Sequence, residues 1–235
     1  KNRNPDVIFI GQPNCGKSTL FNAIAGLKAE TSNFPGTTVE HTHSKVNVKG
    51  KILNIIDLPG TYTLNPSDEA ENVALKHLFV EKPDLVINVL DASILGRSLE
   101  LTLELIELGY PMVVALNMMD LAEKKGIDVD IDKLSQILGL PVVPTIATHG
   151  RGIKDLLDEA LKVLMKSKTV TPIKWSKDVE DRILELEQMI PSDFPIVANK
   201  RFTAVKMIEA EKLLFDKMLM EINPSLKEAL DNIDP

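Results

Sequence analysis

The chain has 235 residues and a formal charge of −7. That length suits one large domain, or a domain with a smaller partner. The acidic balance argues against a general binder of nucleic acid or of anionic membranes, and Cys15, the single cysteine, excludes an internal disulfide framework and fits a reducing compartment. The apolar runs are strand-sized, with no membrane span and no signal peptide. The opening "KNRNP", without Met, reads as a piece cut from something longer.

In chain order, short apolar runs alternate with longer amphipathic segments. "VIFI" (7–10), "ILNIID" (52–57), "LVINVLD" (85–91), "MVVALN" (112–117) and "PVVPTIA" (141–147) predict strands covered on both faces. "KSTLFNAIAG" predicts a helix capped by Gly26. "HSKVNVKGKILNIID" alternates and turns at Lys49-Gly50, which predicts a hairpin adding one antiparallel strand. "SDEAENVALKHLFVEKP" reads as a helix from an N-cap at Ser67 to a stop at Pro83, with Ala70, Val73, Ala74 and His77 on one face. "RSLELTLELIELG", "IDKLSQILGL" and "GIKDLLDEALKVLM" predict further helices. The alternation implies a doubly wound, mainly parallel α/β sheet. Near residue 166 the pattern changes. "KSKTVTPIKWSK" reads as a connection. "DVEDRILELEQMI" puts Val179, Ile183, Leu186 and Ile190 on one helical face, and "KRFTAVKMIEAEKLLFDKMLMEI" is a long helical pattern. The expected division is an α/β domain over 1–168 and a small all-α domain over 169–235.

Chemistry enters at "GQPNCGKST", residues 11–19, which follows a strand and opens a helix. Its spacing matches a phosphate loop whose backbone N–H groups turn towards anionic oxygens. Cys15, Gly16, Lys17, Ser18 and Thr19 are the expected lining. Lys17 can reach the β- and γ-phosphates and the Ser18 hydroxyl can coordinate Mg²⁺. "DLPG" ends the next parallel strand, where Asp57 can hold Mg²⁺ through water and the Gly60 N–H can meet the γ-phosphate. "NFPGTTVE" (33–40) offers Thr37 and Thr38 as Mg²⁺ ligands dependent on the γ-phosphate. "NMMD" (117–120) sits at the carboxyl end of the "MVVAL" strand, where ligands bind in open α/β sheets. Asp120 there can accept two hydrogen bonds from guanine, which adenine cannot supply. Asn117 can tie the loops together, Met118 can cover the base, and "TIATHG" can offer the Ala147 N–H to the guanine O6.

These motifs in order resemble a G domain of the translation-factor-like GTPase class over residues 11 to about 148. More finely, "GQPNCGKSTLFNAIAG", "NFPGTTVE", "DLPGTYTL", "SDEAENVALKHLF", "ALNMMDLAEKKG" and "KRFTAVKMIEA" resemble the cytosolic part of the ferrous iron transport protein B family. The resemblance implies a P-loop GTPase fold followed by a small helical domain. It implies GTP and GDP as ligands with Mg²⁺, and Thr38 as the Mg²⁺-binding switch threonine. It further implies a membrane-spanning part of the same parent chain, coupled through the helical domain and placing this piece on the cytoplasmic face of the inner membrane. Gln12, Phe34, Thr37 and Met118 depart from the family's usual Asn, Trp, Val and Lys. No Gln follows D-x-x-G; Thr61 and Tyr62 stand there, so slow intrinsic turnover is expected. Asn14 offers compensation: by resemblance its side chain helps bind K⁺ between the phosphates. Lys17, Asn14, Thr38 and Gly60 are therefore the candidate catalytic groups.

A soluble ribosome- or RNA-associated GTPase shares these motifs, but its usual basic appendage is missing, so no nucleic-acid partner is expected. An idle GDP or GTP sensor is a third alternative, and a homo-oligomer is left open. His41 and His43 read as exposed strand histidines rather than ligands for Fe²⁺ or Zn²⁺, and His77, with Glu71 and Glu81, as a solvated helix face. Cys15 reads as a small side chain filling the loop rather than a redox group. Trp175 is expected to pack the helical part onto the α/β part.

Overall fold

The structure is a computed structural model that describes residues 3–26, 29–33, 40–64, 75, 78–79, 82–166, 170–190 and 199–208. Seven strands form one sheet in the order β2-β3-β4-β1-β5-β6-β7. They are β1 (Asp6–Gly11), β2 (Glu30–Asn33), β3 (Glu40–Val48), β4 (Lys51–Asp57), β5 (Leu85–Asp91), β6 (Met112–Asn117) and β7 (Val142–Pro144). Seven α-helices are described: α1 (Lys17–Ala25), α2 (Leu95–Leu108), α3 (Met119–Lys124), α4 (Ile131–Leu138), α5 (Ile153–Lys166), α6 (Lys177–Met189) and α7 (Lys200–Ile208).

The parallel strands are apolar at nearly every position because both faces are covered. Val7 and Phe9 of β1, Ile87 and Val89 of β5, and Val113 and Ala115 of β6 pack on one face against α1 and α5, through Leu20, Phe21, Leu156 and Ala160. The alternate residues Ile8, Ile10, Val86, Leu90, Val114 and Leu116 pack on the other face against Leu101, Leu105 and Ile106 of α2. This is the period of two expected of a pleated strand. One polar residue interrupts it: Asn88 is fully buried, accepts from Thr102 Oγ1 at 2.7 Å and donates to the Ile10 carbonyl at 3.4 Å.

The hairpin forms as expected. β3 and β4 pair antiparallel from Val48↔Lys51 to Thr42↔Asp57, and the two turn residues, Lys49 and Gly50, both have positive φ (51° and 87°). β3 is the one strand running against the others. No sequence pattern announces β2, which pairs antiparallel with β3 at the sheet's edge. Its residues Glu30, Thr31, Ser32 and Asn33 are polar and mostly exposed, so it carries no apolar signal. α3 was also unforeseen, and β7 is shorter than the run 141–147 suggested, with Ala147–His149 forming a 3-10 turn.

After α5 the described chain holds only helices. Ile183 and Leu186 of α6 pack against Ala204 of α7, on the face the spacing predicted. Ile190 and Phe202 instead join the core beneath α2. Most of the expected helix over 67–83, the switch residues Thr37 and Thr38, and the far part of the last helix lie outside the described residues; Leu75, Leu78 and Phe79, which are described, are helical and buried in the same core as α2.

Candidate nucleotide-binding site

β1 pairs with β4 on one side and β5 on the other, so the chain reverses its direction of winding at β1. Ligands of open α/β sheets bind at the carboxyl ends of strands at such a point. The phosphate loop leaves β1 there and enters α1. Asn14 (φ 66°) and Gly16 (φ 82°) make the loop's turns. Asn tolerates this left-handed region better than most residues, and Asn14 stands exposed at the loop's tip. At Gly16 a side chain has no room: a Cβ would lie 2.3 Å from Asn117 Nδ2.

Lys17 and Asp57 are both buried and form an ion pair through Nζ and Oδ1. Ser18 Oγ donates to the other carboxylate oxygen, Asp57 Oδ2, at 2.7 Å. Three groups assigned to phosphate and Mg²⁺ thus converge from two adjacent strands. A hydroxyl and a carboxylate are the hard oxygen ligands that Mg²⁺ prefers, so the residues present fit that ion. Gly60 is held close to the loop, its Cα facing Pro13, where a Cβ would come within 3.1 Å of Pro13 Cα. The Leu58 and Thr61 N–H groups donate to Phe9 O and Gly11 O, both at 3.1 Å. Thr61 is fully buried and its hydroxyl is donated to Thr63 O at 2.6 Å. It is a brace for the turn, with no hydroxyl left to face a water.

The side of the site at the end of β6 is held by Asn117, itself buried. Its Nδ2 donates to Cys15 O at 3.0 Å. Its Oδ1 accepts from Ala147 N at 3.0 Å and Thr145 Oγ1 at 3.2 Å. One side chain therefore ties the phosphate loop to the β7 loop, as the sequence suggested. The Ala147 N–H, expected to point at a guanine O6, is here donated to Asn117 instead. Met118 takes a left-handed conformation (φ 60°) that caps α3. Its Cε would lie 3.4 Å from a Cβ on Gly16, so its flexible chain lies against the phosphate loop. Asp120 opens α3 at the rim of a cleft of about 840 Å³ also lined by Glu123, Thr145, Ile146, Arg151 and Asp155. That cleft flanks the Asn117 side rather than the phosphate loop.

Cys15 is buried, and burial pushes its thiol up to about 11. A thiol so rarely ionised is a poor nucleophile, which favours the space-filling reading. His41 and His43 flank Ser32 Oγ, each at 3.4 Å, and His43 Nε2 lies 3.6 Å from Glu30. Among the described residues, no group of three His, Cys, Asp or Glu side chains is placed to hold a metal ion. Thr38 lies outside the described residues.

Sequence reasoning missed three residues around this site. Gln12, buried, donates from Nε2 to the Arg97 carbonyl at 2.7 Å. Arg97 lies over the Tyr62 ring, 4.9 Å from its centroid. Glu104 accepts from the Leu64 N–H at 2.6 Å. The first signal was available, since Gln12 departs from the family's usual residue. The others sit on a helix face that reads as ordinary amphipathic pattern.

Sheet order, phosphate loop and base-reading loops together define a P-loop GTPase fold. The family model for ferrous iron transport protein B matches residues 5–160, and the chain belongs to that family. It is 38% identical over 207 residues to the Fe(2+) transporter FeoB of Escherichia coli K12, an alignment covering 86% of this chain and 26% of the relative. The chain thus spans about a quarter of the length of the curated relatives it matches. The cytosolic domain of Legionella pneumophila FeoB superimposes with a TM-score of 0.81 at 34% identity, covering 96% of each chain. The cytosolic domain of Thermotoga maritima FeoB in a GDP form gives 0.84 at 32% identity, covering 95% of this chain and 87% of that one.

Proposed function

We propose that this chain is the GTP-binding and GTP-hydrolysing part of a ferrous iron membrane transporter. The observation that carries the reading is the convergence of Lys17, Ser18 and Asp57 at the sheet's switch point, bridged by Asn117 to the base-reading loops. The T. maritima and E. coli relatives support it by what their names say they bind and move. In this reading residues 1–168 are the G domain and 169–235 a helical domain that couples it to the membrane-spanning part. The piece then works on the cytoplasmic face of the inner membrane. Among the described residues no helix is long and apolar enough to cross a membrane.

The loop N–H groups of Cys15 to Thr19 bind the phosphates, and the Lys17 ammonium moves from Asp57 onto the β- and γ-oxygens. Ser18, Asp57 and Thr38 would hold Mg²⁺, which would supply positive charge against the phosphate oxygens. Gly60 presents its N–H to the γ-phosphate. Asp120 reads guanine, Met118 covers its face, and the loop around Ala147 lines its edge. With Thr61 committed to its own turn, turnover is slow, and Asn14 would hold a K⁺ that would offset charge on the phosphates.

The test is tight binding of GTP and GDP but not ATP by calorimetry, followed by phosphate release in KCl and in NaCl. Faster release in KCl, lost in Asn14→Ala, is expected. Equal wild-type rates in both salts would remove K⁺ from the mechanism. Absence of guanine-nucleotide binding, or unaltered affinity in Lys17→Ala, would remove the whole reading.

A further inference from the structure

α2 presents two carboxylates one turn apart to the C-terminal helices, and they are used differently. Glu107, almost fully buried, is bound by Arg201 Nε at 2.7 Å and by the Trp175 indole N–H at 3.3 Å. Arg201 also reaches Glu180 of α6 at 2.9 Å, and Asn199 Nδ2 donates to the Glu107 carbonyl at 2.8 Å. All these contacts dock α6 and α7 on α2. Glu104 splits its carboxylate. Oε1 meets Nζ of Lys206 from α7, which is almost fully buried, while Oε2 accepts the Leu64 N–H at 2.6 Å. Leu64 ends the described segment that starts with Leu58-Pro59-Gly60.

That segment is therefore fastened at two points. At one end its N–H groups donate to Phe9 O and Gly11 O of the phosphate-loop strand. At the other it hangs on Glu104, whose second oxygen belongs to α7. We propose that Glu104 is a positioning residue for Leu58–Leu64, and that Lys206 sets whether it holds. A poorly hydrated carboxylate is stabilised by its ammonium partner. When Lys206 withdraws, Glu104 gains by turning towards water, and the Leu64 N–H loses its acceptor. A displacement of α7 thus loosens the segment that carries Gly60. Linkage makes the effect reciprocal: whatever fixes Gly60 tightens Lys206 on Glu104 by the same factor. The inference rests on the reading that Gly60 meets the γ-phosphate, but the contacts can be tested without nucleotide.

Amide hydrogen exchange over residues 58–64 is measured on the nucleotide-free 235-residue chain for wild type, Lys206→Met, Lys206→Arg, Glu104→Gln and Glu180→Gln. About tenfold faster exchange at Leu64 is expected in Lys206→Met and Glu104→Gln, with Lys206→Arg restoring protection. Glu180→Gln leaves Arg201 bound to Glu107, so α7 stays seated on α2 and Leu64 stays protected. Wild-type protection in Lys206→Met, or equal exposure in Glu180→Gln, overturns the proposal. On the kinetic arm, Lys206→Met lowers kcat for GTP about tenfold with KM within about twofold, as expected for a group acting on the transition state. A wild type that binds no guanine nucleotide would refute the GTPase reading, while the exchange data would still decide the role of Glu104.

Discussion

Asn117→Ala removes three hydrogen bonds at once: to Cys15 O, from Ala147 N and from Thr145 Oγ1. At about 1 kcal/mol net each, unfolding in urea without nucleotide should lose about 3 kcal/mol. Gly16→Ala attacks the same contact from the other side, because its Cβ would fall 2.3 Å from Asn117 Nδ2. The left-handed backbone at Gly16 adds about 1–2 kcal/mol for any residue with a Cβ, and the displaced amide adds about as much again as the bonds it forfeits. In the Asn117→Ala background the second part vanishes, since the clashing atom is gone. The double variant should therefore lose less than the sum of the singles, with a coupling of about 2 kcal/mol. The assay is urea unfolding of wild type, both singles and the double. Strict additivity, or a loss below about 1 kcal/mol for Asn117→Ala, would show that Asn117 does not hold the two loops together.

Asp120→Asn should weaken GTP binding and favour xanthosine triphosphate, whose ring offers an oxygen in place of the amine; calorimetry with both nucleotides decides, and unchanged GTP affinity would remove Asp120 from base reading. Cys15, with its thiol held up to about 11 by burial, should resist iodoacetamide at pH 8 in the folded chain, and rapid labelling of the folded protein would contradict that environment. The hydrogen bond from Arg201 holds Glu180 down to about 2. Its folded-state pKa lies below the unfolded one, so its contribution is present above about pH 4.5 and is lost as pH falls towards 2. Acid unfolding of Glu180→Gln should be flatter across that window, and a slope equal to wild type would place the acid sensitivity elsewhere.

The parallel strands were legible because burial on both faces forces unbroken apolar runs, as in "LVINVLD" and "MVVALN". The close approach of the loops at their ends was legible because it needs glycine, as at Gly16, where a Cβ would meet Asn117. β2 was not legible: an exposed edge strand such as Glu30–Asn33 holds its place by backbone pairing alone. Trp175 touches α2 as expected, yet its ring is 43% exposed and its indole N–H rather than its area makes the contact. The Ala147 N–H was assigned to the base because sequence cannot show that Asn117 stands closer. Glu104 was invisible because its meaning lies in one partner 40 residues before it and another 102 residues after it.

The edge hairpin has a consequence for protein engineering. Asn33 and Glu40 are register partners across β2 and β3, so these two residues stand one strand spacing apart. Whatever length of chain joins these two residues is, in polymer terms, a loop whose ends the sheet already holds together. Doubling the length of such a loop costs only about 0.6 kcal/mol in closure entropy. Glycine-serine insertions between Asn33 and Glu40 are thus a way to lengthen that connection while leaving the pairing of β2 and β3 intact.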